Sequence, residues 1–176
     1  MRLLLAFALL IGCPEAEPTV DAGPVDPGPG ALIVHTAWQP TQAADDPLAS
    51  HRPDEVRCPD WARPIEPPVQ EIATDDCNYA SLAQPSLRPL FAGERVAVEY
   101  WHLQLWAEEP AEAHVALHIG DWLVFEDQIA VPGSEAFYSR GAVVPHDIPA
   151  GTPVVFHLHN HGQNSWRLLS VERRAE

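Results

Sequence analysis

A chain of 176 residues with a formal net charge of -15 is long enough for one domain with a real core, and too acidic for a nucleic-acid or anionic-lipid surface. All 10 basic residues are Arg, and the 3 Cys are few enough to assign one by one. Past the first residues, no apolar run is long enough to cross a bilayer as a helix.

The chain opens with Arg2, an apolar run over residues 3–11, and then Leu10-Ile11-Gly12-Cys13. A basic start, an apolar stretch and a small residue before a cut are the marks of a secretory signal. The tetrapeptide ending in Cys13 resembles the lipobox of bacterial lipoproteins. That resemblance implies a signal over residues 1–12 and lipid, palmitate included, on Cys13 as the membrane anchor. It places the protein in the bacterial cell envelope. Pro14 after the lipidated Cys fits an outer-membrane destination, periplasmic or surface-facing. Residues 14–30 read PEAEPTVDAGPVDPGPG. They hold too little large apolar surface to bury, so residues 13–30 are expected to form a disordered acidic tether.

Residues 31–176 are read as one all-β domain. Residues 31–38 (ALIVHTAW) are rich in β-formers and are expected to open it as a strand. Residues 39–89 carry nine Pro, which break any long element. An irregular segment of that length needs a pin. Cys58 and Cys77 form an even pair in an exported chain and are expected to supply it as a disulfide. A short helix or turn is expected within residues 72–83.

Strand periodicity begins after Gly93. Over residues 95–107, Val96 and Val98 share one face, then Leu103 and Leu105 share the other parity. The switch near Tyr100-Trp101 implies a bulge, a twist or burial on both faces. Residues 112–119 alternate cleanly, with Ala113, Val115, Leu117 and Ile119 against Glu112, His114, Ala116 and His118. Gly120-Asp121 turns the chain. Residues 122–131 put Leu123, Phe125, Ile129 and Val131 on the apolar side. Further strands are expected over residues 136–144, 153–159 and 166–173. Short strands separated by turns, with no long amphipathic helix, read as a β-sandwich of jelly-roll type, its Pro-rich segment braced by the disulfide. An immunoglobulin-like sandwich is less favoured, because the Cys pair lies outside the regular strands. Trp101 and Trp122 are expected in the core.

Seven of the 9 His fall between residues 102 and 161. His157, His159 and His161 share one strand face, as do His114 and His118 on theirs, and His102 is read as facing away from the core on its own strand. Three readings remain open. The band of imidazoles holds zinc or copper through His157 and His159 with His102, His114 or His118. It lines a polar cleft that binds sugar, with Trp rings for stacking. Or it is a polar sheet face satisfied within the protein. The loop Asn160-His161-Gly162-Gln163-Asn164-Ser165 gathers donors and acceptors beside Trp166. Trp106, Asn160, His161, Asn164 and Trp166 are therefore candidate ligand contacts, although Gly and Asn there also suit a hairpin turn. The closing segment Gly162-Gln163-Asn164-Ser165-Trp166-Arg167-Leu168-Leu169 resembles the last hairpin of jelly-roll carbohydrate-binding modules.

Catalysis has little support. Nucleophile elbow, phosphate loop and His-Glu-x-x-His signatures do not occur, and Glu108-Glu109 reads as a solvated loop. The functional expectation is a membrane-anchored extracytoplasmic lipoprotein with a non-enzymatic binding module for a glycan or protein, requiring no cofactor and binding no nucleic acid. The alternative is a zinc or copper protein, or a metal-dependent enzyme, built on the strand-borne His.

Overall fold

A computed structural model describes residues 28–66 and 69–174. The lipobox, Cys13 and residues 14–27 of the expected tether lie outside the described residues. The described residues form ten strands: β1 Gln39–Pro40, β2 Ile65–Glu66, β3 Val69–Ala73, β4 Ala80–Pro85, β5 Arg95–His102, β6 Ala111–Ile119, β7 Trp122–Val131, β8 Ala136–Val143, β9 Pro153–His159 and β10 Ser165–Arg174. They make two five-stranded antiparallel sheets, ordered β1-β4-β9-β6-β7 and β2-β3-β10-β5-β8.

The pairing has one simple origin. Strands β3 to β6 run out along a ribbon and β7 to β10 run back, so β6 pairs β7, β5 pairs β8, β4 pairs β9 and β3 pairs β10. The ribbon doubles back at Gly120-Asp121. It then rolls, so that β9 pairs β6 in one sheet and β10 pairs β5 in the other. This is a jelly roll, as the sequence predicts, and not an immunoglobulin order.

Alternation decides what the two sheets bury between them. Val96, Val98 and Tyr100 of β5, Val115, Leu117 and Ile119 of β6, Val154, Phe156 and Leu158 of β9, and Trp166, Leu168 and Val171 of β10 meet in one core. Each large side chain buried there contributes roughly 1.5–3 kcal/mol. Between edge strands β7 and β8, Tyr100 donates a short hydrogen bond to the Asp127 carboxylate, and Arg140 pairs with the same group at 2.8 Å.

Several expectations are corrected. Residues 31–38 do not form a strand. Leu32 donates to Val171 O at 2.9 Å, and its own carbonyl accepts from Leu87, so the segment ties the two sheets together at their end instead of extending either. A single 3-10 turn follows at His35–Ala37. Residues 72–83 hold the end of β3, a turn and β4, so of the expected helix or turn it is the turn that forms. The parity switch is not in β5, where Val96, Val98, Tyr100 and His102 are all buried on one side. The extra residue is Leu169 of β10, opposite the Tyr100-Glu99 step. A second register shift, on β7 at Val124, turns Leu123 outward. Trp38 and Trp166 are the buried Trp, whereas Trp101 and Trp122 are partly exposed.

The Pro-rich segment is built of 3-10 turns laid over the outer face of the β4-β9-β6 sheet. The expected Cys58–Cys77 disulfide is present and joins residues 19 apart. Beside it, Asn78 donates to Arg57 O at 2.9 Å while its Oδ1 accepts from Arg57 N at 2.7 Å. Removing the bridge as Cys58→Ser with Cys77→Ser should lower urea-denaturation stability by about 3 kcal/mol, since the loop closes a similar length of unfolded chain. An unchanged midpoint would mean that the flap needs no covalent pin.

Candidate functional site

Among the described residues, two places bring the expected site residues together. One is a cleft at the end of the sandwich, about 660 Å³, lined by Trp106, Glu108, Glu109, His161 and Gln163 with intervening backbone. Its walls are the loop after β5 and the loop between β9 and β10. Paired backbone bonds lock these loops together: Trp106 N to Gln163 O at 3.2 Å and Gln163 N to Trp106 O at 2.7 Å. Gly162 is required where the loops touch, because a Cβ there would meet the Trp106 carbonyl at 2.8 Å and Val131 at 2.5 Å.

The two Asn of the loop build this cleft. Asn160 is 3% exposed; its Oδ1 accepts from Gly162 N at 2.9 Å and its amide donates to Thr74 Oγ1 at 2.9 Å. Asn164 adopts φ 134, and its amide donates to Gln104 O at 2.6 Å. Trp166 lies in the core, so it faces no ligand. Of the five expected contacts, Trp106 and His161 line the cleft. Glu108 and Glu109 join them as neighbours of Trp106, and Gln163 as a neighbour of His161; the fold brings the two loops together.

The second place is the outer face of β6 and β9, beneath the Pro-rich flap. The flap is held by Asp46, whose carboxylate accepts from Leu48 N at 3.0 Å, from Tyr79 Oη at 2.5 Å and from Arg52 at 3.3 Å. Burial and the Asp46 carboxylate both push the Tyr79 hydroxyl upward, so it stays a donor. The turn Ala49–His51 then lays the His51 ring 4.2 Å from that of His114 and 5.8 Å from that of His157. The His114 and His157 rings are 5.0 Å apart.

His157 is fully buried, and neither ring nitrogen meets a protein hydrogen-bond partner. Leaving such a group unpaired costs about 1–3 kcal/mol. Burial, reinforced by the neighbouring His114, lowers its pKa to about 3, so the ring is neutral at physiological pH. His114 Nε2 meets Glu126 Oε1 at 2.6 Å, and its Nδ1 has no protein partner.

The other expected His are placed differently. His159 sits opposite His114 in register but leans on His161, with ring centroids 4.3 Å apart. Burial, then His161, lowers its pKa to about 4. His118 is further along β6, half-buried, its pKa lowered by burial. His102 belongs to the opposite sheet. It faces the core, not the outer surface, its ring tilted at 47° to that of Trp166 with centroids 4.4 Å apart, and Nδ1 at 2.8 Å from Leu103 O. It cannot join the others, because its strand lies in the opposite sheet and its ring is buried in the core. His51 is absent from the sequence expectation; only its place inside the disulfide-pinned segment hints at it.

No family model matches the chain, and no curated protein does. Among solved structures, the chain is similar to one described as "CBM4 structure and function", with TM-score 0.44 at 12% identity over 80% of this chain and 89% of that one. It is also similar to one described as "Structure of PfGH50B", with TM-score 0.36 at 11% identity over 65% of this chain and 21% of that one. The jelly-roll assignment stands on the strand order described above.

Two outcomes follow from these placements. Asn160→Ala should cost about 1–3 kcal/mol in thermal or urea unfolding, because it strips the buried loop of its partners. A loss of ligand binding with unchanged stability would instead make Asn160 a contact residue. His102 has its pKa lowered from 6.5 by burial. The unfolded chain therefore binds the proton first as pH falls, so His102 favours folding above about pH 6.5 and opposes it below. The denaturation midpoint should drop between about pH 7 and about pH 5, and drop less in His102→Phe. Equal drops would remove His102 from the acid response.

Proposed function

We propose that this protein is a lipid-anchored extracytoplasmic binding module that takes a neutral saccharide in the Trp106 cleft. One observation carries the reading: Trp106 is 55% exposed on loops that backbone bonds hold rigid, at the rim of an open cleft. An indole face kept out of the core gives stacking area for the CH face of a sugar ring. Glu108, Glu109 and Gln163 offer acceptors for sugar hydroxyls, and two carboxylates disfavour an anionic glycan. Preformed loops keep the ordering cost of binding low.

The anchor rests on Leu10-Ile11-Gly12-Cys13 and on the tether composition of residues 14–30. A disulfide-braced domain suits an oxidising compartment outside the cytoplasm. Attachment to the outer membrane follows from Pro14 after the lipidated Cys, by the same resemblance.

The test is a neutral-glycan panel probed with wild type and Trp106→Ala. Wild type should bind at least one neutral oligosaccharide, and Trp106→Ala should bind it about 10-fold or more weakly with an unchanged melting temperature. Absence of wild-type binding, or an unaffected variant, would sink the saccharide reading. Cys13→Ser should lose incorporated palmitate and leave the membrane fraction; continued labelling would sink the anchor.

A further inference from the structure

The Trp106 cleft leaves the cluster under the flap without a use, and that cluster has features a packed polar face lacks. His51, His114 and His157 come from three separate elements, yet each offers a ring nitrogen, and these nitrogens lie within 4.8 Å of one another. His157 is fully buried with both nitrogens unpartnered by protein. Buried polar atoms in native proteins are almost always satisfied, so a buried imidazole without a partner points to a ligand that supplies one.

The tautomer of His114 is set by a carboxylate. A carboxylate only accepts, so Nε2–H donates to Glu126 Oε1 at 2.6 Å and the lone pair falls on Nδ1. That nitrogen is buried and has no protein partner. A carboxylate holding the far nitrogen of a ligating His is the usual outer partner at metal centres, where it fixes the tautomer and strengthens the donor. Glu126 contacts His114 directly, and the field of the buried Asp46 reaches His157. Both are negative, which suits a bound cation.

We propose that His51, His114 and His157 form a site for a zinc-type divalent ion, with Glu126 as the outer partner of His114. The donors are all imidazole, with no thiolate and no carboxylate in direct reach. That set suits Zn2+ and its neighbours, not the oxygen-seeking Ca2+ or Mg2+. For tetrahedral bonds of about 2.0–2.1 Å the ion sits just above the plane of the three nitrogens, and each ring closes in by up to about 0.9 Å. Three protein ligands leave a fourth, tetrahedral position for water. Two ligands belong to the sheet and one to the flap, so the ion clips the Ala49–His51 turn onto β6 and β9, a second pin besides Cys58–Cys77. The site is independent of the saccharide reading and stands or falls separately.

The full chain, freed of metal with a chelator, is titrated with Zn2+ by calorimetry, with the melting temperature and the visible absorption of the Co2+ form as further readouts. The expected result is one ion per chain, a raised melting temperature and a tetrahedral Co2+ spectrum. His157→Ala risks misfolding, so the decisive variant is His51→Asn, on a partly exposed turn. It should weaken Zn2+ by more than the ~10–100-fold expected of Glu126→Gln, while keeping the wild-type circular dichroism. The exposed His146 is the control, and His146→Asn should bind as wild type. No stoichiometric Zn2+ in the wild type would overturn the site. So would full binding by His51→Asn, or loss of binding only on His161→Asn, which would move the ion to the cleft.

Discussion

Everything distinctive about this protein depends on the flap laid over one sheet. An antiparallel sheet in a sandwich ordinarily gives one face to the core and the other to water. Here the outer face of β9 and β6 is covered by a Pro-rich segment with little apolar surface of its own, held by the Cys58–Cys77 bond and by the Asp46 carboxylate beneath Tyr79 and Arg52. Asp46 is buried, and a buried carboxylate is tolerated only when well partnered. Its three partners are what make the turn stop where it does. The consequence is that β9 is buried on both faces, and imidazoles that would have met solvent meet one another.

The jelly roll supplies the other half of the design. Because the ribbon rolls on itself, the loop after β5 and the loop before β10 arrive at the same end of the sandwich, although the two are far apart in sequence. Backbone bonds between Trp106 and Gln163 then weld them, and Asn160, Asn164 and Gly162 set their path. The cleft is rigid because its supports are buried hydrogen bonds, and its one large apolar group is exposed because the backbone leaves it nowhere to pack.

Cleft and cluster are neighbours through a single strand. His157 lies under the flap, His159 leans toward the loop, and His161 lines the cleft, so the end of β9 connects the two places. His157 is the more buried of the two strand imidazoles, and its pKa, about 3, lies below the value of about 4 at His159. Burial sets that difference, since each step toward solvent lowers the cost of a charged ring.

Sequence alone determined the β periodicity of β6 to β10, the pairing of Cys58 with Cys77 and the inward residues of β6 and β9. These are local properties: alternation has a period of two, and Cys58 and Cys77 are the two cysteines within residues 31–176. Tertiary structure alone decided which strands lie side by side, which face the flap covers, and therefore that His51 meets His114 and His157. It also turned His102 and Trp166 into the core, because β5 keeps its alternation through His102 and Trp166 pairs directly opposite it. Alternation tells which side chains share a face; only long-range pairing tells what that face will touch.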